Sequence, residues 1–272
     1  MNPYLLVAAA AVTSGLGALA GVGGAVLLVP LLVLAGATVA EAAPLGLVSV
    51  AALSIAAAPT HLLHRTVNHR LGLTTEVAAS SGAVFGALVA GLIPNRVLVY
   101  LLAGAALGAA FVGGRRKGLR NEPDPELDSD AIGERVGRLG GAYPLGREVV
   151  PYGIRRLRAG LGFMTLAGLI AGTAGVSGGF IKTPATSELM HVPTKVAAAT
   201  TTFTIGITAS AALAVFGVQG RIDPRSASAV IIGALVGATA GARLQARMVP
   251  AKVRAGLSVI LVLVAVTMVV TA

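Results

Sequence analysis

"GVGGAVLLVP" occupies residues 21–30, in a stretch with no charged side chain before Glu41. Within a helix, glycine costs about 1 kcal/mol relative to alanine and proline about 3 kcal/mol. Three glycines and a proline in ten residues therefore break any helix that runs through them. At membrane depth, freed backbone groups are tolerated only against protein or beside a water-filled cavity. What surrounds the stretch thus decides the fold.

The surroundings are apolar. Of 272 residues, 55% are hydrophobic and 12% charged, against roughly 25% charged in a soluble domain. Charge-free runs cover 1–40, 42–64, 77–95, 97–114, 159–181, 196–220, 226–242 and 255–272. A spanning helix needs roughly 20 such residues. The first run lacks the basic start of a secretory signal and is read as part of the mature fold. With no cysteine, disulfides, thiolate metal sites and cysteine nucleophiles are excluded. The net charge of +10 comes from basic residues between apolar runs, where Lys and Arg set membrane topology, so nucleic acid is not the expected partner. Tryptophan is absent and aromatics make up 4%, which leaves close Gly and Ala packing to carry stability.

One long polar segment, 115–158, divides the chain, and its four prolines argue against a long helix. The expected organisation is a first transmembrane repeat over 1–113, a soluble connecting loop over 114–158 and a second transmembrane repeat over 159–272. The halves match at an offset of 154 residues: GVGGAVLLVP (21–30) falls on GVSGGFIKTP (175–184). Gly21 meets Gly175, Gly24 meets Gly178, Pro30 meets Pro184, and farther on Ala43 meets Ala197. A period this long is no solenoid; it is the internal duplication of secondary transporters.

Each half holds a long Gly-interrupted unit (4–36, 159–190) and three ordinary ones: 42–63 and 196–219, 74–93 and 224–245, 97–113 and 254–271. A straight helix of the first unit's length would reach about 50 Å, well beyond a hydrocarbon core of about 30 Å. If that unit crosses once, the loops place 14 basic residues on one face and six on the other. If it enters, turns at the glycines and returns, Arg96, Arg221 and Arg225 share one face and the other 17 share the opposite one, leaving Lys182 at membrane depth. The second division is the sharper. It makes the crossings of each half odd in number, so the halves are inverted. The expected fold is an all-α polytopic membrane protein of two inverted repeats, each with one broken re-entrant helix pair and three transmembrane helices.

New half-helices beginning near Ala25 and Phe180 would aim unpaired N–H groups and the positive dipole end at the cavity, which suits an anion. GxxxG patterns such as Gly17–Gly21 also allow the plainer reading of close helix packing, but packing does not call for a proline at the same spacing in both copies. Leu28 in the first copy is replaced by Lys182 in the second, and Val29 by Thr183. A lysine near mid-membrane is a functional candidate by default; its plainer readings are a structural pair with Glu188 or snorkelling to the interface. Ser177, Thr183, Thr186 and Ser187 surround it with hydroxyls, as do Thr200, Thr201 and Thr202, which suits an oxyanion. His61, His64 and His69 read as loop residues rather than metal ligands. GGFIKTP has no strand before it and no glycine directly before Lys182, so it is not a phosphate loop. Glu41, Glu188, His191 and Lys195 flank the broken units as gating or helix-end charges.

Gly-x-Gly-Gly, an apolar run and Pro, then an Ala-rich hydroxyl stretch ("KVAAATTTFTIG", 195–206), with the break occurring twice, resembles the TauE/SafE family of sulfite exporters, also called the four-toluene-sulfonate uptake permease group. The resemblance covers about 1–113 and 159–271, with 216–254 adding a polar turn, a Gly-rich helix and a basic end. It implies transport of sulfite, thiosulfate or small organosulfonates with no chemical step. Its site falls on Gly21, Gly23, Gly24 and Pro30, and on Gly175, Gly178, Gly179 and Pro184; Ala25 and Ser177 depart from the pattern. With Lys182, Thr183, Thr200 and Thr201 these form the expected substrate site. No catalytic residue, cofactor or metal is expected. The partners are a small anion and the lipid bilayer of the cell membrane, with homo-oligomerisation left open.

Overall fold

A computed structural model describes residues 2–20, 23–63, 65–115, 133–134, 139–145, 148–245 and 250–271. Gly21, at the head of the first break, and His64 lie outside the described residues. The long first unit is two helices, α1 (Pro3–Ala20) and α2 (Ala25–Leu34), followed by α3 (Val39–Leu63), α4 (His69–Ala90) and α5 (Asn95–Arg115). The second half repeats the series with α6 (Leu157–Ala174), α7 (Gly179–Pro184), α8 (Thr194–Val218), α9 (Pro224–Gln245) and α10 (Pro250–Thr271). Five of these helices, α3, α4, α6, α8 and α9, are long and apolar enough to cross a membrane. The chain is thus an all-α multi-pass membrane protein in its main body.

Local chemistry sets the ends. Thr38 and Glu41 cap α3 reciprocally: the Glu41 carboxylate accepts from the Thr38 amide at 2.9 Å and the Thr38 hydroxyl accepts from the Glu41 amide at 3.3 Å. Asn68 caps α4 by accepting from the Leu71 amide at 2.9 Å. That cap moves the start of α4 into the stretch 64–72, which reads in sequence as one polar break. Gly175 ends α6 at φ +71°, and its amide donates to Ala171 at 2.9 Å. Pro184 cannot donate to the turn before it, and the chain widens into a π turn over Ala185–Leu189.

Both broken units fold back on themselves. Gly24 lies against Ser14, and Leu32 and Ala35 line a cleft with Leu6, so α2 runs antiparallel to α1. Likewise Gly178 lies against Ala167 and Met190 against Gly160, which returns α7 and its π turn along α6.

Across the halves, small residues let backbones touch. Gly233, Gly237 and Gly241 of α9 meet Val7, Ala11 and Gly15 of α1, in rising order on both helices. Gly168 and Gly172 of α6 meet Ala79, Ala83 and Ala87 of α4 in the same way. Each contact therefore joins parallel helices, and each is the other with the halves exchanged. Helices α4 and α8 also run parallel, since Asn68 meets Thr200 and Glu76 meets Thr208.

Part of the segment between the halves forms short strands. Strands β1 (Gly133–Glu134), β2 (Gly141–Leu145) and β3 (Glu148–Tyr152) form an antiparallel sheet in that order. Gly141 pairs with Tyr152, so the period of two puts Tyr143 and Tyr152 on one face. Their rings meet edge to face at 6.3 Å and are buried among Leu71, Met164, Met190 and Val196. Turn-forming prolines and glycines concealed this hairpin in the sequence.

Candidate functional site

The two breaks meet each other. Gly23 holds φ +89°, open to glycine at little cost, and its Cα faces the Ser177 side chain so closely that a Cβ would collide with it. The Ser177 hydroxyl in turn accepts from the Gly179 amide at 3.2 Å. Helix α2 starts at Ala25 with no side-chain cap on Gly24, and α7 starts at Gly179, one residue before the expected point, with none on Gly178. Gly175 presses against Ala43, and its carbonyl against Gly46 of α3. Of the expected site, the geometry brings Gly23 of the first break against Ser177 of the second. Pro30 lies within α2 and Pro184 at the end of α7.

Lys182 is 2% exposed, and its partner is neither Glu188 nor an interface. Its Nζ donates to Glu76 Oε2 at 2.7 Å, across 106 residues of chain, and to the Thr208 hydroxyl at 2.5 Å. The Thr208 hydroxyl donates to Glu76 Oε1, and the Ser80 hydroxyl reaches the same oxygen at 3.3 Å. Glu188 stands exposed on the π turn. Sequence reading missed Glu76, although a signal was present: it is the one charge within the apolar unit 74–93 and lies on the small-residue stripe Gly72, Ala79, Ala83. Moved by the 154-residue offset, Lys182, Glu76 and Thr208 become Leu28, Val230 and Ser54, with Leu28 and Val230 fully buried. Of the two positions related by exchanging the halves, one therefore holds a charge from each half and the other holds oil.

Among the described residues, Thr183 Oγ1 is the buried side-chain polar atom without a hydrogen-bond partner. A buried hydroxyl without a partner carries a desolvation cost. Thr200 and Thr201 are also buried; Thr200 Oγ1 accepts from the Asn68 amide at 2.9 Å, which leaves its hydroxyl hydrogen free to donate elsewhere. Asn68 further donates to the Tyr152 hydroxyl at 2.9 Å and to the Leu139 carbonyl at 2.8 Å. It thus ties the hairpin to this side of the breaks.

The exchanged position is open. A cleft of about 390 Å³ is lined by Leu6, Leu32, Gly36, Glu41, Arg221 and Asp223 among others. Arg221 donates to the Ala40 carbonyl at 2.8 Å and stacks over Phe216 at 4.3 Å. Partial burial lowers its pKa from the ordinary guanidinium value. The Ser226 hydroxyl and amide hold the Asp223 carboxyl below the ordinary range as it caps α9. No group of three metal-ligating side chains occurs among the described residues.

No curated protein and no solved structure matches the chain. A family model does: the sulfite exporter TauE/SafE model matches residues 6–268. That span takes in both breaks, the Lys182–Glu76 pair and every helix in whole or nearly so, and the chain belongs to the TauE/SafE sulfite exporter family, a family of transporters rather than enzymes.

Proposed function

We propose that this chain is a secondary transporter of sulfur-containing anions, sulfite or small organosulfonates, in the cell membrane, working by alternating access. The observation that carries the reading is the meeting of Gly23 with Ser177 in the core, where both helix breaks converge near Lys182. The substrate site in this reading is Gly21, Gly23, Gly24 and Ala25 against Gly175, Ser177, Gly178 and Gly179, with Lys182 for charge and Thr183, Thr200 and Thr201 for hydroxyls. Pro30 and Pro184 each withhold one backbone N–H from the helix that follows the break. The unmet Thr183 hydroxyl is a donor in waiting.

The halves are inverted repeats in this proposal. Support comes from helix direction: α1 is parallel to α9 and α4 to both α6 and α8. With α3–α4 and α8–α9 joined by short turns, α1 and α3 point one way and their counterparts α6 and α8 the other. The returning pairs α1–α2 and α6–α7 fit re-entry from opposite faces. Basic residues then gather on the hairpin face, which is the cytoplasmic one. A cleft on the opposite face and a tyrosine-lined plug on this one fit a carrier resting open to the outside.

The test is binding and flux. Purified protein is expected to bind sulfite, sulfoacetate or thiosulfate, and reconstituted protein to carry the same anion with saturation and counterflow. Lys182→Met should weaken binding at least tenfold in protein that still runs as a folded species. Unsaturable flux would point to a channel instead, and unchanged affinity in Lys182→Met would remove the lysine from the site.

A further inference from the structure

We infer that Glu76 takes up one proton when an anion binds at Lys182, so that anion and proton occupy the site together. The inference rests on the transporter reading above and adds what couples it. Glu76 and Lys182 are 3% and 2% exposed, and Glu76 is the buried carboxylate among the described residues. As a pair they are neutral. An anion that takes Lys182 as its partner leaves Glu76 charged, desolvated and without its cation, a state that buried carboxylates escape by protonation.

Among the described residues, no other cation on the helices packed against α4 is placed to take over. Helix α6 carries Arg158 and α8 carries Lys195, each in the first turn and more than a turn from Glu76; α7 carries Lys182 alone. On α4 itself, His69 and Arg70 are exposed, more than a turn before Glu76. Glu188 on the π turn is exposed as well. What faces the carboxylate beyond Lys182 is hydroxyl, from Thr208 and Ser80.

Those hydroxyls suit both states. Thr208 donates to the carboxylate now, and a hydroxyl can rotate to accept from a protonated carboxyl, so no polar atom is orphaned by the change. The proton comes from water and ends on a Glu76 oxygen. For a monovalent anion the site stays neutral: lysinium with carboxylate before, lysinium with anion and neutral carboxyl after. The exchanged position, Leu28 with Val230 and Ser54, has no ionisable group, so the count is one proton rather than two.

Ethanesulfonate, sulfoacetate and thiosulfate do not titrate near neutral pH, so any proton taken up on their binding belongs to the protein. Calorimetry of the purified full chain in buffers of different ionisation enthalpy reads that number directly. About one proton per bound anion is expected, with affinity falling about tenfold per pH unit over the alkaline range. The infrared difference spectrum on binding should gain a protonated-carboxyl band, which is missing in Glu76→Gln. In that variant, proton uptake should vanish and affinity lose its pH dependence. Anion binding with no proton uptake and no such band overturns the inference and leaves the transporter reading intact. Persistence of both signals in folded Glu76→Gln overturns the assignment to Glu76. If none of these anions nor sulfite binds, the transporter reading itself fails and this inference with it. Should Glu76→Gln not fold, the wild-type proton count and band still decide.

Discussion

Gly23 and Gly175 are offset by 152 residues rather than 154, and each holds a backbone conformation that suits glycine. Both sit at positive φ, +89° and +71°, where an L side chain is strained, and each abuts protein from the other half. Gly175→Ala should therefore cost about 1–3 kcal/mol from backbone strain alone, and the added methyl would also meet Ala43 backbone. A fall in the detergent melting temperature checks this, and retention of the wild-type value would show that the break is soft. Lys182 was legible in the sequence because the repeat supplied its contrast with Leu28. Its partner was not, because ion pairs at this range depend on how α4 and α8 lie side by side, which no local pattern encodes. The same limit hid Asn68, whose role as joint between turn, hairpin and α8 exists only after folding.

At the scale of elements, apolar units were legible to within a few residues because hydrocarbon thickness and glycine clusters mark them directly. The unit 159–190 is α6, its break, α7 and the π turn, and 4–36 is α1, its break and α2. The strands were not legible, since turn residues outnumber the short alternation that makes β2 and β3. Helix pairing gives a sharp contrast within α6. A side chain at Gly168 would run into the Ala79 carbonyl, whereas Gly162 is exposed with open space around it. Gly168→Val should destabilise by about 1–3 kcal/mol through overpacking, while Gly162→Ala should be neutral or add up to about 1 kcal/mol of helix propensity. Thermal unfolding of the two variants in one detergent separates them. Equal melting temperatures would mean that α4 and α6 do not touch through these glycines.

At the scale of the whole molecule, the two halves differ on opposite sides of the breaks. On one side the hairpin fills the space beneath Met190 and Val196 with Tyr143 and Tyr152; on the other, the equivalent space is the cleft beside Ala37 and Glu41. In the proposed carrier, inverted halves would exchange shapes, each taking the conformation the other now holds. The chain lacks cysteine, so a single introduced thiol reports access cleanly. A cysteine at Ala37, in the cleft, should react at once with an impermeant thiol reagent added from the outside of right-side-out vesicles. A cysteine at Met190, which is 0% exposed, should resist reagent from the hairpin side. Adding Tyr143→Ala, which removes the plug's ring, should raise the Met190 cysteine's rate at least tenfold, and so should a transported anion in the otherwise unaltered chain. If the anion leaves the Met190 cysteine's rate unchanged while it is being carried, the two faces do not open in turn, and passage runs through a fixed pore.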